Sequence, residues 1–168
     1  MKIGLFGGCF NPPSKIHIDI AKRILEENNL DKVIFVPVGD SYNKNELSES
    51  KHRYNMLKLA IGDNKNLEVD DIELNIKKKM YAIDVFELLE GKYKEYEMHF
   101  IMGSDNFEKM PKWKDYDKLK KYKYIVVERN KEDISSSRIR ELIKENKNIT
   151  RYLDEKVYKY IIKSSLYK

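Results

Sequence analysis

Two stretches far apart in the chain carry the residue types that hold anions. Near the start, Gly7-Gly8-Cys9-Phe10-Asn11-Pro12-Pro13-Ser14-Lys15-Ile16-His17 runs straight into a helical pattern. Adjacent glycines let the backbone approach a phosphate closely, prolines stiffen the turn, and the following helix start offers unpaired N–H groups and a positive dipole end. Near the end, Ile134-Ser135-Ser136-Ser137-Arg138-Ile139-Arg140 sets hydroxyls and N–H groups at another helix start. An arginine one turn later adds a permanent charge and a forked donor set. A serine run by itself is most often an N-cap, and a histidine at a helix start is most often structural. Their pairing in one chain shifts both toward phosphate binding. Neither stretch is a G-x-G-x-x-G or a Walker A motif, since the later glycines and the Lys-Ser/Thr ending are missing, so dehydrogenase and P-loop kinase readings fall.

The elements that must position these stretches alternate along the chain. Apolar runs at residues 2–6 and 32–38 read as buried strands, and residues 97–102 and 122–128 supply two more. Residues 67–74 alternate like a strand. Residues 16–28 place Ile16, Ile20, Ile24 and Leu25 at helical spacing, residues 51–63, 81–89 and 113–122 read as further helices, and the chain closes in helices. Parallel neighbours need crossover connections, and those helices bury the sheet, so the expected fold is α/β, a doubly wound parallel sheet of Rossmann-like type with C-terminal helices. In such sheets ligands bind beyond the carboxyl ends of the strands where the strand order reverses. The loops after Phe6, Pro37, Met102 and Val127 are therefore the ones to inspect.

Composition narrows the chemistry. The 168 residues match the size of one domain, and no repeat, low-complexity segment or composition shift divides them, so residues 1–168 are expected to form a single domain. Cys9 is the only cysteine, which excludes an internal disulfide, and no Cys/His spacing suits a structural zinc site. No run reaches transmembrane length and the start lacks a signal-peptide pattern, which points to the cytoplasm without a membrane partner. Lys plus Arg number 33 against 28 Asp plus Glu, a bias toward anionic partners. Acids interleave the lysines, so that surplus reads as solvated faces and not as a nucleic-acid site.

Together the motifs resemble the nicotinate- and nicotinamide-nucleotide adenylyltransferases of the nucleotidyltransferase superfamily. GGCFNPPSKIH is similar to G-G-x-F-[DN]-P-x-[HST]-x-x-H and ISSSRIR to I-S-S-[TS]-x-[IL]-R. By that resemblance Gly7, Gly8, Phe10, Ser14 and His17 meet ATP, Ser136, Ser137 and Arg140 bind its phosphates, and Asn11 belongs to the pyridine-nucleotide side. FVPVGDSYNKNEL, ahead of HRYNML, is similar to a family loop whose lysine clamps phosphate, which implies that role for Lys44; His52 and Arg53 open the next helix and organise that loop locally. IMGSD followed by Lys112-Trp113 is similar to I-x-G-x-D-x(6)-[KR]-W, implying that Gly103 allows close approach, Asp105 accepts from the ribose or adenine side, and Trp113 stacks on the pyridine ring. Tyr81, Ala82 and Asp84 fall where the family has S-Y-T-x-D-T at the pyridine nucleotide. Ser14 stands where bacterial members usually have His, and Met80, Ala82 and Val85 replace hydroxyl residues, which implies a weakened preference for the acid over the amide. The segment before Ile134 is shorter than in bacterial relatives.

The resemblance implies attack by the phosphate of nicotinate mononucleotide, with nicotinamide mononucleotide as a second substrate, on the α-phosphorus of ATP. Pyrophosphate leaves, Mg2+ accompanies ATP, and the dinucleotide enters NAD synthesis. His17, Lys44 and Arg140 are expected as charge stabilisers, Ser14 as a hydroxyl donor, and no protein metal ligand is assigned. Alternatives left open are transfer to a different phosphate substrate, a non-catalytic nucleotide sensor on the same fold, and self-association into a homo-oligomer.

Overall fold

The computed structural model describes residues 1–41, 47–130 and 132–168. Strands β1 (Lys2–Gly8), β2 (Lys32–Pro37), β3 (Leu67–Val69), β4 (Glu97–Gly103) and β5 (Lys123–Val127) form one sheet, all parallel, in the order β3-β2-β1-β4-β5. Between them run helices α1 (Lys15–Glu27), α2 (Ser50–Ile61), α3 (Ala82–Lys92), α4 (Ser104–Lys109) and α5 (Tyr116–Leu119), and α6 (Ser136–Lys144) and α7 (Glu155–Lys163) follow the sheet. The expected doubly wound topology is present, with its reversal between β1 and β4. No helix of the described residues is long and apolar enough to cross a membrane.

Alternation along the central strands divides the core. Val33 and Phe35 face α1 and α2, packing with Ile18, Ala21, Ile24 and Leu57. Ile3, Leu5, Ile34 and Val36 face α3 through Val85 and Leu89. Central strands that bury both faces read as continuous apolar runs, which is why residues 2–6 and 32–38 were legible without periodicity. Beyond α2, the apolar faces of α6 and α7 bury Ile139, Val157 and Ile161 against Met56.

Register explains the crevice. Pairing of β1 with β4 ends at Phe6 and Ile101, whereas β1 continues along β2 to Gly8 opposite Pro37, and β4 continues along β5 to Gly103 opposite Val127. The tips of β1 and β4 therefore part at the reversal point, and each ends in glycine.

Two expectations differ from the structure. The strand expected over 67–74 stops at Val69, because the Asp70 carboxylate accepts the Ile72 N–H at 2.8 Å and turns the chain. The helix expected over 113–122 is split: a 3₁₀ turn, Met110–Lys112, closes at Trp113, and Asp115 at φ 56° redirects the chain before α5.

Asp70 is 3% exposed, and its other carboxylate oxygen accepts from the Tyr93 hydroxyl and pairs with Lys92 Nζ at 2.7 Å, tying β3 to the end of α3. Replacing Asp70 with Ala should cost about 2–3 kcal/mol, the loss expected when buried donors lose a charged acceptor. Urea midpoints of the two proteins measure this directly.

Candidate active site

The first anion-holding stretch is built by an unusual cap. Ser14 is the N-cap of α1 and His17 its third residue, and the His17 ring accepts the Ser14 backbone N–H on Nδ1 at 2.9 Å. This is the geometry a glutamate or glutamine usually supplies in a capping box. It also fixes the tautomer: with Nδ1 accepting a backbone donor, the ring proton sits on Nε2. Phe6 and Phe10 press on the ring, with centroids 6.5 and 5.2 Å away. Burial, and secondarily the field of Arg129, lower the His17 pKa to about 4. A pKa so far below 7 leaves the imidazole neutral at pH 7, with one N–H to offer.

Several residues expected at the ligand hold other residues in place. Ser14 is 3% exposed and its hydroxyl lies 3.2 Å from His17 Nδ1, so it supports the imidazole. Phe10, 3% exposed with φ 49°, fills the space beside Gly8, where an added Cβ would meet its ring at 3.1 Å. Asn11 is 2% exposed, and its Oδ1 accepts from the Ser48 N–H at 3.1 Å, the Ser48 hydroxyl at 3.0 Å and the Tyr167 hydroxyl at 2.6 Å. The Asn11–Pro12 peptide bond is cis.

The two stretches meet. Ser136 Oγ donates to the Pro12 carbonyl at 2.8 Å, and Arg140 NH1 donates to the Asn11 carbonyl at 2.8 Å. Arg140 NH2 reaches Ser137 Oγ at 3.2 Å, while Ser135 caps α6 by accepting the Arg138 N–H. Two helix N-termini thus converge where β1 ends. Acids are favoured in first helical turns, yet α1 and α6 have none there, which leaves those turns without a carboxylate of their own.

Behind this edge lies Arg53, wholly buried in α2. Its Nε donates to Ser48 O at 2.8 Å, and NH1 donates to Val38 O at 2.6 Å and Cys9 O at 3.2 Å. NH2 reaches the exposed Asp40 carboxylate at 3.4 Å. One guanidinium thereby joins the loops after β1 and β2, a local organising role that its place in HRYNML implied. Glu73, 8% exposed, packs under the same loop; burial raises its pKa to about 7 against the opposing effects of a Gly39 hydrogen bond and Arg53. Lys44 lies outside the described residues.

On the other side of the crevice, Gly103 and Asp105 are exposed at the end of β4 and in the first turn of α4, and nothing lies within 4 Å of a Cβ built on Gly103. Trp113 is half-buried in a cluster with Ile83, Met110 and Leu119, which sets it beside the first turn of α3. Tyr81 is the N-cap of that helix and is exposed, Ala82 follows it, and the Asp84 carboxylate accepts the Tyr81 N–H at 2.9 Å. Arg129, just beyond β5, was not singled out from sequence as a site residue. Its field at His17 marks it as a further cation at this edge, and its place in one of the strand-end loops was the available signal. Among the described residues no group of three or more His, Cys, Asp or Glu side chains is arranged to hold a metal ion.

A family model described as cytidylyltransferase-like matches residues 5–142. Along its whole length the chain is 34% identical to a probable nicotinate-nucleotide adenylyltransferase of Caldicellulosiruptor saccharolyticus, all of which is covered. Identity to the protein of the same name from Bacillus licheniformis is 34%, covering 99% of this chain and 98% of that one. The first alignment spans 197 positions, more than the 168 residues here, so it contains insertions relative to this chain. In fold, the chain matches Plasmodium falciparum nicotinic acid mononucleotide adenylyltransferase complexed with NaAD at a TM-score of 0.82 and 23% identity, covering 99% of this chain and 97% of that one. A Vibrio parahaemolyticus structure described as a putative nicotinate-nucleotide adenylyltransferase matches at 0.80 and 24%, covering 99% and 96%.

Truncating Arg53 to Met should cost about 3–5 kcal/mol, because the carbonyls of Cys9, Val38 and Ser48 lose their buried donors. The urea midpoint should fall accordingly. The His17 shift has a definite sign. Between its ordinary pKa of 6.5 and about 4 the unfolded chain binds a proton that the native ring excludes, so this contribution is complete above pH 6.5 and is lost as pH falls toward 4. Against His17→Gln, which keeps a cap acceptor and cannot titrate, the wild type should lose about 1–2 kcal/mol more between pH 7 and 4. Equal pH profiles would contradict the neutral imidazole.

Proposed function

Because the chain belongs to the cytidylyltransferase-like family, and within it to the nicotinate-nucleotide adenylyltransferases, we propose that it transfers the adenylyl group of ATP to nicotinate mononucleotide and releases pyrophosphate. The observation that carries the reading is the junction of the two anion-holding stretches. Ser136 on Pro12 and Arg140 on Asn11 bring two helix N-termini without first-turn acids to the parted tips of β1 and β4. Two anionic reactants must be held together there, and the charge on the α-phosphoryl group must be spread as the nucleophile enters and pyrophosphate leaves. Fixed donors in a set geometry do this without a covalent enzyme intermediate.

In this reading His17 Nε2–H donates to a phosphoryl oxygen of ATP, held at its angle by the Ser14 N–H on the far side of the ring. With Nδ1 engaged by the cap the ring stays neutral, and its single N–H is directed at the phosphate. Ser137, exposed at the start of α6, and the N–H groups of that turn receive the remaining phosphate oxygens, with Arg140 positioning Ser137. Gly7 and Gly103 leave room for the nucleotide between the strand tips, Asp105 accepts from its sugar or base, and Trp113 stacks on the pyridine ring. Lys44 and Arg129 add positive charge. Magnesium would accompany ATP and neutralise charge on its triphosphate, a hard cation suited to phosphate oxygens. Residues 1–168 act as one domain in the cytoplasm, with the dinucleotide passing to NAD synthesis and neither nucleic acid nor membrane as a partner.

His17→Ala should retain the fold and lower kcat by about 100-fold or more, the loss typical of one donor aimed at transition-state charge. Pyrophosphate release from ATP, magnesium and nicotinate mononucleotide is the assay, with circular dichroism as the folding control. Near-normal kcat in the folded variant would remove His17 from the reaction, and no release from the wild type would remove the reaction itself.

A further inference from the structure

Two lysines from separate segments converge on one exposed ring beside Trp113. Lys79 Nζ stands 5.2 Å from the centroid of Tyr81 and Lys114 Nζ 4.6 Å from it, and the tyrosine is 42% exposed. Each lysine loses rotamer freedom to sit there. Most other close cation–ring contacts of this chain are near neighbours in sequence, such as Lys92 on Tyr93, Lys121 on Tyr122 and Arg151 on Tyr152. Lys114 instead crosses from the segment after the 3₁₀ turn to the cap of α3. Among the described residues neither lysine has a carboxylate within ion-pair distance, although lysines elsewhere, at 32, 92, 121 and 123, are so paired. A ring attracts the cation through its face and leaves the ammonium N–H groups on the far side able to take an anion.

The side chains around the first turn of α3 offer few donors for a carboxylate. Met80, Ala82 and Val85 carry no hydroxyl, and the Asp84 carboxylate that accepts the Tyr81 N–H contributes negative charge. We propose that Lys79 and Lys114, gathered on Tyr81, are specificity-determining residues that favour a pyridine carboxylate over the neutral carboxamide. This rests on the reading that the pyridine ring stacks on Trp113, the residue next to Lys114. The two cations supply by charge what the first turn of α3 lacks in side-chain donors, so the selectivity is electrostatic and sensitive to salt.

The test is paired kinetics at saturating ATP with nicotinate and nicotinamide mononucleotides, on wild type, Lys79→Met, Lys114→Met and the double variant. Both lysines are exposed, so the variants should fold. The double variant should lower the acid-to-amide ratio of kcat/KM by about 10-fold to 100-fold, mainly through KM for the acid, with each single variant near the square root of that. Lys114→Arg should keep the ratio. Raising the salt from about 50 to 500 mM should erode the wild-type ratio and leave that of the double variant unchanged. A ratio unmoved by the double variant overturns the proposal. So does a parallel fall for both substrates, which would place the lysines at the shared phosphate. Trp113 is the only tryptophan, so quenching of its fluorescence reads binding of each mononucleotide without turnover. A wild type that binds the acid selectively but forms no dinucleotide would overturn the adenylyltransferase reading and leave this one standing, whereas equal loss of acid and amide binding in the variants would overturn this one alone.

Discussion

The site depends on one buried guanidinium. Arg53 donates to carbonyls of the loops after β1 and β2 and to Ser48, and its carboxylate partner among the described residues, Asp40, is largely in water. The charge is therefore held by backbone oxygens more than by an ion pair. Desolvation lowers its pKa, with Asp40 acting in the opposite direction, but a guanidinium stays charged under such pressure where an ammonium would not. Its planar fork also reaches several carbonyls from one position. Ser48, fixed in this way, presents its N–H and hydroxyl to Asn11, and Tyr167 completes the acceptor set of the same amide. A chain of satisfied polar groups thus runs from α2 through the first loop to the C-terminal segment.

Beside that scaffold the His17 ring is fixed by the Ser14 N–H on its Nδ1. A charged imidazole at a helix N-terminus would oppose the dipole, and burial against Phe6 and Phe10 disfavours the charge further. A neutral ring whose Nδ1 is occupied by the helix cap has one N–H and one direction to offer. Glu73 behaves in the opposite sense: it is a buried acid whose carboxyl tends to the protonated form near neutrality, under the loop that Arg53 holds. Both groups bring weakly charged forms to a region whose permanent charge comes from arginines.

Much of the fold was legible because its central strands are apolar on both faces and its helices alternate with them. The parallel sheet and the strand-end loops that carry the site follow from that pattern, whereas the place of the reversal, between β1 and β4, is set by the strand order. The exceptions are local and polar. Asp70 ends β3 by accepting a backbone N–H two residues on, and Asp115 breaks the expected helix after Trp113 by adopting a left-handed conformation. Neither shows in hydrophobic periodicity, since both are single-residue choices between hydrogen-bond patterns.

The candidate site divides along the same line. Residue types alone determined that the stretches from Gly7 to His17 and from Ile134 to Arg140 favour anions, because glycines, hydroxyls and helix starts have that property wherever they lie. Only the tertiary structure decided which of these groups face the crevice and which face each other. Ser14, Asn11 and Ser136 hold neighbouring residues, Ser137 stays exposed, and Arg129 and the lysine pair on Tyr81 join the edge from segments that no motif connects. A side chain's chemistry is local and can be read from its letter, whereas its direction and its partners are set by contacts between segments up to 156 residues apart.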